Sequence, residues 1–310
     1  MHRAVHNDAM ADQLTPTTAL HTRIDSSAGP LAALIASPDG DTAHAPVVLL
    51  VPGYTGSKED FAPILAPLVA LGYVAVAIDQ PGQFESAGPD DEDAYRPAAL
   101  GTVLLSVVEH LATDHPVVLV GHSFGGLVSR AAVLAGAPVV GLVLLCSGPA
   151  AFTGGNRFEV LTRGGPLLRE APNNAAFYDG QQRAAGLDPD DPHPLARFYR
   201  RRFVETNRAA LLGMGTALLT ERDRTPALAT ALREAGIPVA VVAGETDDAW
   251  PLPDQRRMAT TLATQLVLVP GGAHSPAIES PAALVAVLSP LLHDWFSATT
   301  PTRAQRARRR

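Results

Sequence analysis

A serine flanked by glycines, Gly121-His122-Ser123-Phe124-Gly125, follows directly on the apolar run Val117-Val118-Leu119-Val120. Phe124, Leu127, Val128, Ala131 and Leu134 then recur at helical spacing. Strand, tight turn and helix in that order hold a serine hydroxyl out at the carboxyl end of the strand, where it can attack an electrophile. At neutral pH the hydroxyl is a poor nucleophile, so it needs a base, a group that orients the base, and donors for the oxyanion that forms.

The remaining chain offers each of these. The apolar run Val239-Ala240-Val241-Val242-Ala243 ends in Gly244-Glu245-Thr246-Asp247-Asp248-Ala249-Trp250-Pro251, and Leu266-Val267-Leu268-Val269 ends in Pro270-Gly271-Gly272-Ala273-His274-Ser275. Two successive strands thus bring an aspartate and then a histidine to the edge that carries the serine. Of the ten histidines, His274 is the candidate base. His122 lies inside the turn with its side chain expected to point away from the serine, His193 sits between prolines in a surface loop, and His293 falls in the last helix pattern.

With the order Ser, Asp, His in place, the chain resembles the serine α/β-hydrolases that carry a helical cap, over about residues 19 to 297. Further matching pieces are Val51-Pro52-Gly53-Tyr54, Asp79-Gln80-Pro81-Gly82, Gly244-x-x-Asp247 and Gly272-Ala273-His274. The resemblance implies Ser123 as nucleophile, His274 as base and Asp247 as the acid that fixes the imidazole, with Asp248 the alternative acid one residue on. It also implies an oxyanion hole made by the backbone N–H groups of Tyr54 and Phe124.

Two departures stand out. Many relatives begin the oxyanion loop with His-Gly, whereas here it reads Pro52-Gly53-Tyr54-Thr55-Gly56-Ser57, which leaves the loop's supporting contacts open. After the strand ending at Ile78, relatives often carry Gly-x-Gly-x-Ser, but Gly82-Gln83-Phe84-Glu85-Ser86 puts Phe84 where the second glycine would be. Phe84 either lines a pocket or packs, and Phe152 and Trp250 are further pocket candidates.

The apolar runs at 47–51, 74–78, 117–120, 139–145, 239–243 and 266–269 alternate with helix patterns, which predicts a mostly parallel eight-stranded sheet flanked by helices once two early strands, 22–25 and 31–37, are added. The long stretch from Ser147 to Ile237 is more than a loop. It holds helix-like segments at Pro194 to Met214 and Pro226 to Ala235, the latter assigned to the core. The organisation expected is a mobile arm at 1–18, a core at 19–149 and 226–297, a helical cap at 150–225, and a disordered basic tail at 298–310. Arg200-Arg201-Arg202 is either a carboxylate-binding cluster or a solvated helix face.

Composition narrows the function classes. The 310 residues are 46% hydrophobic and 18% charged, those of an ordinary globule, and a net charge of −7 speaks against general nucleic-acid binding. The single cysteine, Cys146, has no internal partner and reads as a buried thiol. No run of about 18 apolar residues suggests a membrane span, and the expected compartment is cytoplasmic. Gly53-Tyr54-Thr55-Gly56-Ser57-Lys58 fails the phosphate-loop spacing and Gly121 to Gly126 the dinucleotide fingerprint, while no His-Glu-x-x-His or paired-cysteine motif is present. The expectation is a hydrolase of small-molecule carboxylic esters that works through an acyl-enzyme, without cofactor or metal. C–C bond, thioester or amide hydrolysis and perhydrolysis share the same side chains. A low-turnover ligand-binding or sensor protein is the alternative of another class.

Overall fold

The computed structural model describes residues 12–299. In chain order the elements are β1 (Leu20–Ile24), β2 (Leu31–Ala36), β3 (Val47–Val51), α1 (Ala62–Ala70), β4 (Val74–Ile78), α2 (Pro97–Ala112), β5 (Val117–His122), α3 (Phe124–Leu134) and β6 (Gly141–Leu145). There follow α4 (Gly155–Glu170), α5 (Asn174–Ala184), α6 (Pro194–Glu205), α7 (Arg208–Thr220), α8 (Thr225–Ala235), β7 (Val239–Gly244), α9 (Leu252–Thr261), β8 (Leu266–Val269), α10 (Pro276–Glu279) and α11 (Pro281–Thr299). All eight strands form one sheet in the order β1-β2-β4-β3-β5-β6-β7-β8, antiparallel at β1/β2 and β2/β4 and parallel from β4 onward.

The parallel strands are short runs of Val, Leu, Ile and Ala because both faces are covered. Along β3, Val47, Leu49 and Val51 enter one core with α2, α3, α8 and α9, while Val48 and Leu50 enter the other with α1 and α11. Helix α11 is by length and composition apolar enough to cross a membrane; here Leu284, Leu288, Leu292 and Phe296 bury one of its faces in the second core. Strand order reverses at β3, with β4 on one side of it and β5 on the other. Such a switch point brings the loop after β3 and the turn after β5 together at the carboxyl ends of the strands.

Between β6 and α8 the chain makes a long helical excursion, α4 to α7. The single segment expected from Pro194 to Met214 is broken at Thr206–Asn207. The Asn207 side chain accepts from the N–H groups of Ala209 (2.7 Å) and Ala210 (3.4 Å), which starts a new helix. Helix α7 is almost wholly buried, and Met214, Ala217 and Leu218 join the core beneath the sheet edge. Arg202 pairs with Asp60 in a nearly buried contact and Arg200 with Asp179 in a part-buried one, whereas the Arg201–Glu205 pair is exposed.

Where the excursion leaves and rejoins the core, Ala151 N–H donates to Glu221 O (2.9 Å) and Phe152 N–H to Leu218 O (2.8 Å). Arg130 of α3, 2% exposed, donates to Pro149 O on the outgoing side and to Glu221 Oε1 (2.8 Å) on the returning side. The residues of the expected arm before Asp12 and of the basic tail after Thr299 lie outside the described residues.

Candidate active site

Ser123 sits at φ 55°, ψ −120°, a strained backbone for a residue with a side chain. The strain is held by its surroundings: its N–H donates to Leu145 O at 2.8 Å, and the turn passes so close to the loop after β3 that a Cβ on Gly125 would lie 2.5 Å from Pro52 O. Phe124 is the first residue of α3, and the helix supplies no acceptor for its N–H.

Three side chains from three strand ends meet here. His274 Nε2 is 3.0 Å from Ser123 Oγ, and His274 Nδ1 is 2.8 Å from Asp247 Oδ1. A carboxylate only accepts, so Nδ1 carries the proton and Nε2 presents its lone pair to the serine hydroxyl. Asp247 also accepts from Ala249 N–H (3.0 Å) on Oδ1 and from Gln255 Nε2 (2.8 Å) on Oδ2. Asp248, half-exposed, makes no hydrogen bond to His274 and pairs instead with Arg157 of α4 at 2.6 Å. The two neighbouring carboxylates thus have separate partners.

The backbone of His274 is gripped from both sides. Glu279 Oε2 accepts from Ala273 N–H (2.6 Å) and Ser275 N–H (3.1 Å), and His122 Nε2 lies 2.7 Å from His274 O. That carbonyl only accepts, so His122 donates from Nε2. Burial, followed by the neighbouring His274, lowers the His122 pKa to about 4. A neutral ring 5.0 Å from His274 adds no charge against an imidazolium forming there. Behind the site Cys146 is buried, and burial raises its thiol well above the ordinary range; it accepts weakly from Gly244 N–H at 3.4 Å.

The loop after β3 runs beside the serine. A Cβ on Gly53 would stand 3.0 Å from Ser123 Cβ and 3.4 Å from Oγ, so the backbone itself approaches the nucleophile. The loop's support comes from the turn after β4: Gln80 Nε2 donates to Pro52 O (2.9 Å) and Gln83 Nε2 to Gly53 O (2.8 Å). The tyrosine that follows packs its ring against Leu168, Leu211 and Leu212 of the excursion, and burial raises its hydroxyl's pKa. Beneath the same turn Lys58, 1% exposed, pairs with Glu59 (2.8 Å), Asp79 (3.0 Å) and Glu85 (2.7 Å). Burial alone would lower its pKa, but the three carboxylates outweigh this and raise it.

Of the pocket candidates, Phe84 stands edge-on to Phe198 (5.9 Å) with Lys58 and Arg201 over its ring, at φ 38°. Phe152 and Trp250 pack on each other at 4.4 Å, and Trp250 Nε1 donates to Ala150 O at the root of the excursion. Each of the three rings thus has packing partners. His193 caps α6, accepting from Leu195 N–H, and His293 is exposed on α11. Two groups of ligand-type side chains gather among the described residues, His122/Cys146/His274 and Asp247/Asp248/His274. Most of their donor atoms are already spent on the hydrogen bonds and ion pair above.

The sequence reading gives no role to Gln80, Gln83, Gln255 or Glu279. Each acts across a tertiary contact, Gln80 and Gln83 from the turn after β4 and Gln255 and Glu279 from α9 and α10, and the only local signal was their polar character.

Similar folds occur among solved structures. A thermophilic esterase from Thermogutta terrifontis is 21% identical, with TM-score 0.65, over 89% of this chain and 99% of that one. An esterase from Exiguobacterium antarcticum is 17% identical, with TM-score 0.68, over 88% and 100%. A bromoperoxidase from Bacillus anthracis is 18% identical, with TM-score 0.67, over 89% and 100%. No curated protein sequence matches the chain. A family model described as the alpha/beta hydrolase family matches residues 48–287, the stretch from the first parallel strand to the last helix that holds every side chain of the site, and the chain belongs to that family.

Proposed function

We propose that the protein is a cofactor-independent serine hydrolase that cleaves a carboxylic ester of a small or medium apolar molecule through an acyl-enzyme. The observation that carries this reading is the continuous relay Ser123 Oγ to His274 Nε2 (3.0 Å) and His274 Nδ1 to Asp247 Oδ1 (2.8 Å) at a strained strand-to-helix turn. Ser123 Oγ attacks the acyl carbon while His274 takes its proton. The tetrahedral oxyanion is met by the N–H groups of Tyr54 and Phe124, and the imidazolium returns its proton to the leaving alkoxide. Water, deprotonated by His274, then attacks the acyl-enzyme and releases the acid.

Residues 150–225 act in this reading as a cap. Ser123 and His274 are only 5% and 8% exposed, so substrate is enclosed beneath the excursion, whose inner faces are apolar. Enclosure limits acyl size and excludes bulk water from the charge that develops.

Hydrolysis of p-nitrophenyl esters from acetate to dodecanoate tests the reading, with labelling by a fluorophosphonate as a substrate-independent readout. Ser123→Ala is expected to lose turnover by about 10⁴-fold or more and to lose the label, with activity greatest for the shorter acyl chains. Equal turnover by wild type and Ser123→Ala, or labelling elsewhere than Ser123, would overturn it.

A further inference from the structure

We propose that Gln83 is a positioning residue that sets the plane of the Gly53–Tyr54 peptide and so aims the Tyr54 N–H at the oxyanion; this rests on the serine-hydrolase reading above. A trans peptide is planar, with its C=O and N–H pointing in opposite directions, so whatever holds the carbonyl also aims the amide hydrogen. The peptide follows a glycine, whose ψ is weakly restrained. What selects one face is the pair of donors on Gly53 O: Gln83 Nε2 at 2.8 Å and Gly56 N–H at 3.1 Å. Among the described residues the Tyr54 N–H on the opposite side has no protein acceptor, and Gly53 stands directly against Ser123.

The Gln83 amide has one workable orientation. Its Oε1 accepts from Gln80 N–H at 3.1 Å, which leaves Nε2 to face Gly53 O; a flipped amide would set oxygen against oxygen and nitrogen against N–H. Gln83 is fully buried, so no water substitutes for it. Its neighbour explains how it gets there: Phe84 at φ 38°, its N–H on Thr206 Oγ1 (3.2 Å), turns the chain so that the preceding side chain points inward. Gln80 braces the previous peptide through Pro52 O. Gln83 Nε2 also lies 3.9 Å from Met214 Sδ of α7, so the same amide meets the excursion.

Two near-isosteric variants test this. Gln83→Met removes the donor and keeps the volume. It is expected to lower kcat for p-nitrophenyl butyrate and the rate of Ser123 phosphonylation together by about 10- to 100-fold, with KM within about threefold. In the phosphonylation, Ser123 Oγ displaces fluoride from phosphorus and His274 takes the hydroxyl proton, so its rate reads the hole without any substrate pocket. Gln83→Glu turns an acceptor toward Gly53 O when ionised and a donor when protonated.

Its kcat relative to wild type is therefore expected to rise about tenfold from about pH 8.5 to about pH 5.5, burial having raised the carboxyl's pKa into that range. The ionisable groups around the loop, Asp79, Lys58, Glu59 and Glu85 beneath it and His122 and His274 across the serine, are present in both proteins, so the ratio reports what the added carboxyl changes. A flat ratio in a folded Gln83→Glu, or a Gln83→Met loss confined to KM, would overturn the proposal. Should the glutamate variant fail to fold, the methionine variant decides alone. A wild type that takes no label on Ser123 defeats the hydrolase reading instead, whereas a labelled wild type matched by an equally fast Gln83→Met defeats only the role of Gln83.

Discussion

Asp247 and Asp248 are chemically identical neighbours separated by what they touch. Asp247 accepts from the histidine, from Ala249 N–H and from Gln255, while Asp248 is half-exposed and holds Arg157. Asp247→Asn presents an amide that favours the wrong imidazole tautomer and is expected to lower kcat by about 10³- to 10⁴-fold. Asp248→Asn breaks a surface ion pair worth under about 1 kcal/mol and should leave kcat within about threefold. Steady-state kinetics of the two variants checks the assignment, and the opposite ranking would exchange their roles. At this scale the serine and histidine of the hydrogen-bonded relay, and the pair of aspartates beside them, were legible because each follows a strand-ending motif with its own spacing. Gln83, Gln255 and Glu279 were not, since a hydrogen bond to a residue far away in sequence leaves no periodic trace. His122 shows both sides: its place beside the serine was readable, its bond to His274 O was not.

Among the elements, the excursion is tied to the core along α7 and again at its root. Arg130, buried on α3, binds Pro149 O on the way out and Glu221 and Arg222 O on the way back. Removing one member of a buried ion pair leaves the rest unpaired, so Arg130→Met is expected to cost about 3 kcal/mol in urea unfolding. A change below about 1 kcal/mol would show that the clamp is not structural. The strands were readable to within a few residues, since buried parallel strands are continuous apolar runs. The break between α6 and α7 was not, because Asn207 ends one helical pattern and caps the next without interrupting the apolar periodicity.

For the molecule as a whole, the buried neutral His122 makes stability depend on pH. Its pKa is about 4 in the fold against 6.5 as an ordinary histidine, so between those values the unfolded chain binds more protons than the native one. The contribution of this one group to stability is therefore full above about pH 6.5 and declines as pH falls toward 4. By about pH 5 this one group accounts for about 2 kcal/mol lost relative to pH 7. His122→Gln keeps an Nε2 donor for His274 O but does not titrate. Its urea-unfolding free energy is expected to fall about 2 kcal/mol less than that of wild type over the same interval, and parallel curves would reject the assignment.

The amino-acid sequence by itself determined the alternation of strands and helices, the sharp turn at Ser123, the histidine after the last strand and the pair of adjacent aspartates after the strand before it. Those properties follow from local spacing: apolar runs that can only be buried, and a small residue on either side of a serine. Only the tertiary structure decided which of two adjacent aspartates faces the histidine, that Phe84 packs under Lys58 and Arg201, and that two glutamines in the turn after β4 hold the carbonyls of Pro52 and Gly53. The reason is one of range. A side chain's direction at the end of a strand is set by neighbours brought from other parts of the chain, and their arrival is a property of the packed sheet rather than of any local pattern.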